Sequence, residues 1–202
     1  MAEVLVVGAG PVGLTLAGEL ARHGVRCRII DKLPKPSPYC RAIGVTPRTL
    51  EVWEDMGIAR GMIDAGIWIT GQRSIIHPHA PKDELLDLDD LPYSQLGLPQ
   101  YETERLLTQH LSKFGLQVER AVSLTSLEQA EKQVEVEFEH NNGRTERSAF
   151  QYVVGCDGAH GAVRHGTKGR TLGPTDIVAD PLHRGTCDLS VASVGRGEKR
   201  IE

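Results

Sequence analysis

An α/β fold built on a parallel sheet is predicted by three features of the sequence. The first is an opening β-α-β unit: Val4-Leu5-Val6-Val7, the turn Gly8-Ala9-Gly10-Pro11-Val12-Gly13, an apolar-periodic stretch, Gly24, and Arg28-Ile29-Ile30-Asp31. The second is an inserted three-stranded antiparallel β-meander, read from strand-type alternation over 117–152 and the hairpin turn Asn141-Asn142-Gly143. The third is the apolar run Tyr152-Val153-Val154-Gly155, which fits a strand returning to the main sheet.

The opening unit is predicted as a strand over 3–8, a helix over 11–23 and a strand over 26–31, and each residue type in it has a physical task. Gly8 allows the tight turn out of the strand, Gly10 leaves room for a pyrophosphate to approach the backbone, and Gly13 lets the helix lie close on the strand. The helix N-terminus presents free N–H groups and partial positive charge to phosphates. Pro11 suits that first turn because its missing N–H would have no partner there. Leu14, Leu16, Ala17, Leu20 and Ala21 give the helix an apolar stripe, with Arg22 and His23 at its end. Asp31, at the end of the second strand, can accept hydrogen bonds from both ribose hydroxyls and repels a 2′-phosphate, so this site prefers FAD or NAD over NADP.

Lys32-Leu33-Pro34-Lys35-Pro36-Ser37-Pro38 is a loop, since its proline density excludes helix and central strand. A second helix is predicted over 46–56, capped by Thr46, with Pro47 in its first turn and Gly57 at its end. The stretch 58–98 alternates short apolar pieces with turns and reads as an excursion from the nucleotide domain. Short strands are expected at 67–69 and 74–76, and the acidic run 83–90 is expected as a solvated loop. Helical periodicity returns over 102–114 with Leu106, Leu107 and Leu111, followed by strands at 117–127, 133–139 and 144–152.

The chain has 202 residues, 40% hydrophobic and 25% charged, enough for one core or one domain with part of a second. A net charge of −4 gives no reason to propose nucleic acid or an anionic membrane as partner. No stretch approaches the roughly 18 apolar residues of a membrane span, and the N-terminal apolar run breaks into a glycine loop rather than reading as a signal peptide. Cys27, Cys40, Cys156 and Cys187 form no CxxC pair and read as reduced and structural, with a cytoplasmic location as the default. His77 and His79 sit two apart in a proline-flanked loop and the other histidines are scattered, so no metal site is assigned.

Taken together, the segments Gly8 to Gly13, Asp31, Arg41-Ala42, Gln100 to Glu104, and Gly155-Cys156-Asp157-Gly158-Ala159-His160-Gly161-Ala162-Val163-Arg164 resemble the FAD-dependent aromatic hydroxylases of the para-hydroxybenzoate and phenol hydroxylase type. Order and spacing match over about residues 3–164. The resemblance implies a Rossmann-like FAD-binding domain over 1–164, with 58–98 as a partial substrate-domain excursion. It implies that Gly8, Gly10, Gly13 and Asp31 hold the ADP half of FAD and that Arg41 stands near the pyrophosphate and flavin. It places Gln100 at the ribityl or phosphate region and Asp157 beside the pyrophosphate, while Glu104 serves the helix start. It also implies NAD(P)H as co-substrate, O2 as oxidant and a small phenolic or polyketide-type aromatic as substrate, in a secondary-metabolite setting. No catalytic base is identified; Tyr93 and Tyr101 are pocket candidates by location only.

Two departures from that pattern stand out. Gly161 occupies the position where the family carries serine, and nothing after Arg164 matches the family's second cofactor signature, Gly-Asp-Ala-x-His. Residues 165–202 are dense in glycine and charge and are expected to be poorly ordered, with only 188–194 able to form a short strand. A truncated product, or a misread junction after Arg164, is one explanation. The alternative to an active monooxygenase is therefore a truncated, non-catalytic FAD- or nucleotide-binding remnant, or one half of a split site completed by a partner chain; a homo-oligomer is the other assembly the reading allows. An NAD-dependent dehydrogenase is the third reading, disfavoured because the meander breaks the alternation of strands and helices.

Overall fold

The computed structural model describes residues 2–40, 42–76, 78–86, 90–158, 161–163 and 190–193. In chain order the elements begin with β1 (Val4–Val7), α1 (Pro11–Arg22) and β2 (Cys27–Asp31). Next come β3 (Gly44–Val45), α2 (Pro47–Asp55), α3 (Ala59–Ala65), β4 (Ile67–Ile69), β5 (Gly71–Ser74), β6 (Lys82–Leu85) and β7 (Gln95–Gly97). The rest are α4 (Gln100–Ser112), β8 (Val118–Arg120), β9 (Val122–Gln129), β10 (Val134–His140), β11 (Thr145–Phe150), β12 (Tyr152–Gly155) and β13 (Ser190–Ser193). The chain divides into two compact units, residues 1–37 with 107–202, and residues 38–106.

The first unit holds a five-stranded sheet in the order β13-β12-β1-β2-β8, parallel except for β13, which runs antiparallel to β12. All four residues of β1 are buried, as an unbroken apolar run requires when both faces of a parallel sheet are covered. One face carries α1, which packs through Leu14 and Ala17. The other face carries the three-stranded antiparallel sheet β11-β10-β9. Val134, Val136 and Phe138 alternate inward from β10 and pack with Leu5, Val7, Ile30, Phe150 and Val153 in one core. Arg28 of β2 sits at that junction: it makes hydrogen bonds of 2.7 Å to both carboxylate oxygens of Glu119, one of 2.6 Å to Glu146, and lies 4.7 Å from the centre of the Phe138 ring.

The second unit contains the small sheet β3-β7-β4, helices α2 and α3, and the hairpin β5-β6. Thr46 caps α2 by accepting the Thr49 N–H, with Pro47 in the first turn. Leu50, Trp53, Met56, Met62, Leu96 and Leu98 form its interior.

Several expectations are corrected. Residues 74–76 do not form a strand; β5 ends at Ser74 and pairs with β6, so that 83–85, expected in a loop, lie in a strand. Side-chain pairing sets this register, Arg73 with Asp83 and Gln72 with Glu84, while Ile75 and Ile76 are left exposed. Helix α3 was not expected, because its N-cap is Ile58 without a capping side chain and Gly61 lies inside it. Helix α4 starts at Gln100 rather than 102, since the Pro99 carbonyl accepts from the N–H groups of Glu102 and Thr103.

The expected strand 117–127 is two strands. β8 joins the parallel sheet, β9 joins the antiparallel one, and Ala121 turns the chain between them with φ +56°. β13 falls within 188–194; the expectation that the remainder of 165–202 is poorly ordered lies outside the described residues.

Candidate functional site

The carboxyl ends of β12, β1, β2 and β8 lie side by side, and the opening glycine turn touches the chain that leaves β12 and Asp31 at the end of β2. This is the edge of a parallel sheet where ligands bind in open α/β folds. Gly8 adopts φ +102°, and a side chain there would run into the Cys156 carbonyl and the Asp157 Cα. A side chain at Gly13 would collide with the Gly8 carbonyl oxygen, so the turn folds back on the first turn of α1 with no room to spare. Gly10 is the contrast: it is the N-cap of α1, supplies no side-chain cap, and open space surrounds the position a Cβ would take. The turn is packed on its inner side and bare on its outer side, as a pyrophosphate cradle requires.

Asp31 is tied into this turn. Its Oδ2 accepts the Ala9 N–H at 2.7 Å and its Oδ1 accepts the Leu33 N–H at 2.8 Å, while the Gly8 N–H donates to the Ile30 carbonyl at 2.8 Å. The carboxylate is thereby fixed next to the glycine turn with lone pairs to spare for hydroxyl donors. Arg120, at the end of β8 and in register with Asp31, brings its Nη1 to 3.8 Å from Asp31 Oδ2. It was not anticipated from the sequence, because only the β2–β8 pairing brings the two together.

Asp157 follows β12, and its Cα borders Gly8. Its carboxylate turns back on its own loop: the Val163 N–H donates to Oδ2 at 3.4 Å, and a side chain at Gly161 would occupy the place of Oδ1. The glycine standing in the serine position is thus what leaves room for this carboxylate. Gly8, Gly10, Gly13, Asp31 and the backbone of Asp157 converge on one end of the sheet.

Gln100 belongs to the second unit, where its Nε2 donates to Glu104 Oε1 at 2.8 Å. Glu104 is buried, and the i, i+4 spacing on α4 lets it orient the amide of Gln100; α4 begins four residues before it, so the expected role at the helix start is not what the structure gives it. Arg41 and Arg164 lie outside the described residues. Tyr93 is hydrogen-bonded to Glu54, which pushes its phenol up, and Tyr101 is exposed. Among the described residues no group of three or more His, Cys, Asp or Glu side chains could hold a metal ion, and no helix is long and apolar enough to cross a membrane.

Comparison with known proteins gives the same direction. The family described as "FAD binding domain" matches residues 1–180. The chain is 36% identical over 172 residues to 6-methylpretetramide 4-monooxygenase of Streptomyces rimosus, covering 80% of this chain and 29% of that protein. It is 34% identical over 167 residues to pentachlorophenol 4-monooxygenase of Sphingobium chlorophenolicum, covering 81% and 31% respectively. Among solved structures, aklavinone-11 hydroxylase in a ternary complex with FAD and aklavinone superposes with a TM-score of 0.73 at 28% identity, over 83% of this chain and 35% of that one. The chain therefore spans about a third of the length of the relatives it matches.

Proposed function

Since the chain belongs to the FAD-binding-domain family of flavoprotein aromatic monooxygenases, we propose that it is the cofactor-binding part of an FAD-dependent monooxygenase that hydroxylates a phenolic or polyketide-type aromatic with NAD(P)H and O2. The observation that carries this reading is the glycine turn laced to Asp31 through the Ala9 N–H, open only at Gly10. FAD supplies the redox chemistry when bound; the protein supplies placement and electrostatics. In this reading the backbone around Gly8, Gly10 and Gly13 receives the pyrophosphate, and Asp31 accepts the ribose hydroxyls. Asp157 borders the pyrophosphate, Arg41 serves the pyrophosphate and flavin, and Gln100, oriented by Glu104, serves the ribityl or phosphate region. Residues 1–164 form the FAD-binding domain, with the antiparallel sheet β9–β11 as its inserted meander and 58–98 as a part of the substrate-binding domain. A cytoplasmic location accords with free cysteines at 27, 40 and 156.

The test is an absorbance spectrum of the purified chain after incubation with FAD and desalting. Flavin bands near equimolar amounts are expected, and a colourless protein sinks the reading. A second reading is cofactor binding without turnover by these residues alone, which match about a third of the length of those relatives. Oxygen uptake stimulated by an aromatic substrate in the isolated chain argues for the first; uptake only after a partner chain or second copy completes the site argues for a split enzyme.

A further inference from the structure

We propose that Arg120 is a cofactor-contacting residue whose guanidinium lies against the adenosine end of the dinucleotide, one strand beyond Asp31. The proposal rests on the nucleotide-binding reading above and extends it to a residue that no glycine or acid signature marks. Three observations support it.

Arg120 ends β8 exactly opposite Asp31 in the parallel register, so the two side chains emerge next to each other on the ligand-binding edge of the sheet. The ribose held by Asp31 leaves its base free to lie over the neighbouring strand end, which is that of Arg120.

The guanidinium is also under-used. Its side chain is only 18% exposed, and its one ion pair, to Asp31 Oδ2, is 3.8 Å long, beyond hydrogen-bond reach. Among the described residues it makes no hydrogen bond, although it carries five N–H donors. Arg28, on the adjoining strand, shows the alternative, with its donors spent on Glu119 and Glu146. A cation at the ligand-binding end of the sheet with donors not taken up by the protein has them available for a ligand.

The backbone that holds Arg120 is strained. Ala121 is the one non-glycine residue with positive φ among the described residues, at +56°. Its N–H donates to the Leu33 carbonyl at 3.2 Å, and its carbonyl accepts from the Asn141 N–H at 3.1 Å. The unfavourable conformation is thus pinned between the loop that follows Asp31 and the hairpin turn of the antiparallel sheet. Strain of this kind persists where a neighbouring side chain must be held in place. A planar, delocalised cation so held is suited to stack on a purine while its charge steadies the carboxylate that takes the ribose.

The experiment is calorimetric titration of the full chain with ADP and, separately, with inorganic pyrophosphate. Arg120→Ala is expected to weaken ADP binding about tenfold and to leave pyrophosphate affinity within about twofold, because the phosphate cradle is untouched. Arg120→Lys keeps the charge beside Asp31, and with it the fold, but lacks the plane; its ADP affinity is expected to stay several-fold below native. ADP affinity indifferent to both substitutions overturns the proposal, as does equal weakening for ADP and pyrophosphate, or full recovery in the lysine variant, which would leave charge alone at work. A native chain that binds neither ADP nor FAD sinks the nucleotide-binding reading and this proposal with it, so the two failures are read separately.

Discussion

Two arginines make nearly the same fork-to-carboxylate contact in the two units. Arg28 meets Glu119 and Glu146 at 2.6–2.7 Å with a side chain 17% exposed. Arg73 meets Asp83 at 2.6 and 2.7 Å with both partners at least 60% exposed. Geometry is matched, and surroundings are not. Around Arg28 the Phe138 ring and the covered sheet limit access of water, so losing one partner leaves the remaining charges less well hydrated than at the surface. Around Arg73 water replaces whatever is lost. The same contrast appears in glycines: Gly13 is pressed against the Gly8 carbonyl, whereas Gly61, inside α3, faces nothing within 4 Å. At these positions the first unit is specified by close contact and the second tolerates change.

The largest expected effect follows from Gly13→Ala, whose added methyl has no space. A loss of about 3 kcal/mol is expected, with FAD no longer retained on gel filtration; a variant of native stability that keeps its flavin breaks the contrast. Arg28→Met is expected to cost about 2 kcal/mol in urea unfolding, less than a fully buried pair because Glu119 is partly exposed.

Acid sharpens the same point. The Arg28 guanidinium holds the Glu146 carboxyl from 4.5 down to about 2, against a smaller opposing effect of burial and with help from His140. Because the folded value is depressed, the stabilisation is present above about 4.5 and is lost as the pH falls towards about 2. Glu146→Gln is expected to flatten the fall of the urea midpoint through that window, and an unchanged slope counts against the network. In the second unit, Gly61→Ala is expected to stabilise α3 by about 0.7 kcal/mol. Arg73→Ala is expected to move the thermal midpoint by no more than the error of a melt.

The opening β-α-β unit was legible because its signals are local. Glycine spacing, Pro11, the apolar run and Asp31 lie within one stretch of chain, and each has a single sterically sensible place. The alternation Val134, Val136, Phe138 and the turn at Gly143 were legible for the same reason. Helix α3 was not, since it lacks a capping residue and holds a glycine. The break at Ala121 was invisible, because alanine carries no signal for positive φ. The Arg28 cluster joins residues 91 and 118 positions apart, and Arg120 meets Asp31 only through strand pairing, so neither could be read from spacing. At the site itself, the glycines and the acid were readable, whereas the inward turn of the Asp157 carboxylate depends on the empty side of Gly161.

The pairing of β13 on β12 has a consequence for how the molecule behaves in company. A parallel sheet that stopped at β12 would display the outward-facing N–H and C=O groups of Tyr152–Gly155 as a ready template for another chain. Ser190–Ser193 takes up that template antiparallel, residue for residue, while the opposite rim, β8, offers only three paired positions. The short final strand thereby acts as a guard on the sheet's rim, and its removal is a route to strand-mediated self-association in a domain whose interior is otherwise well covered.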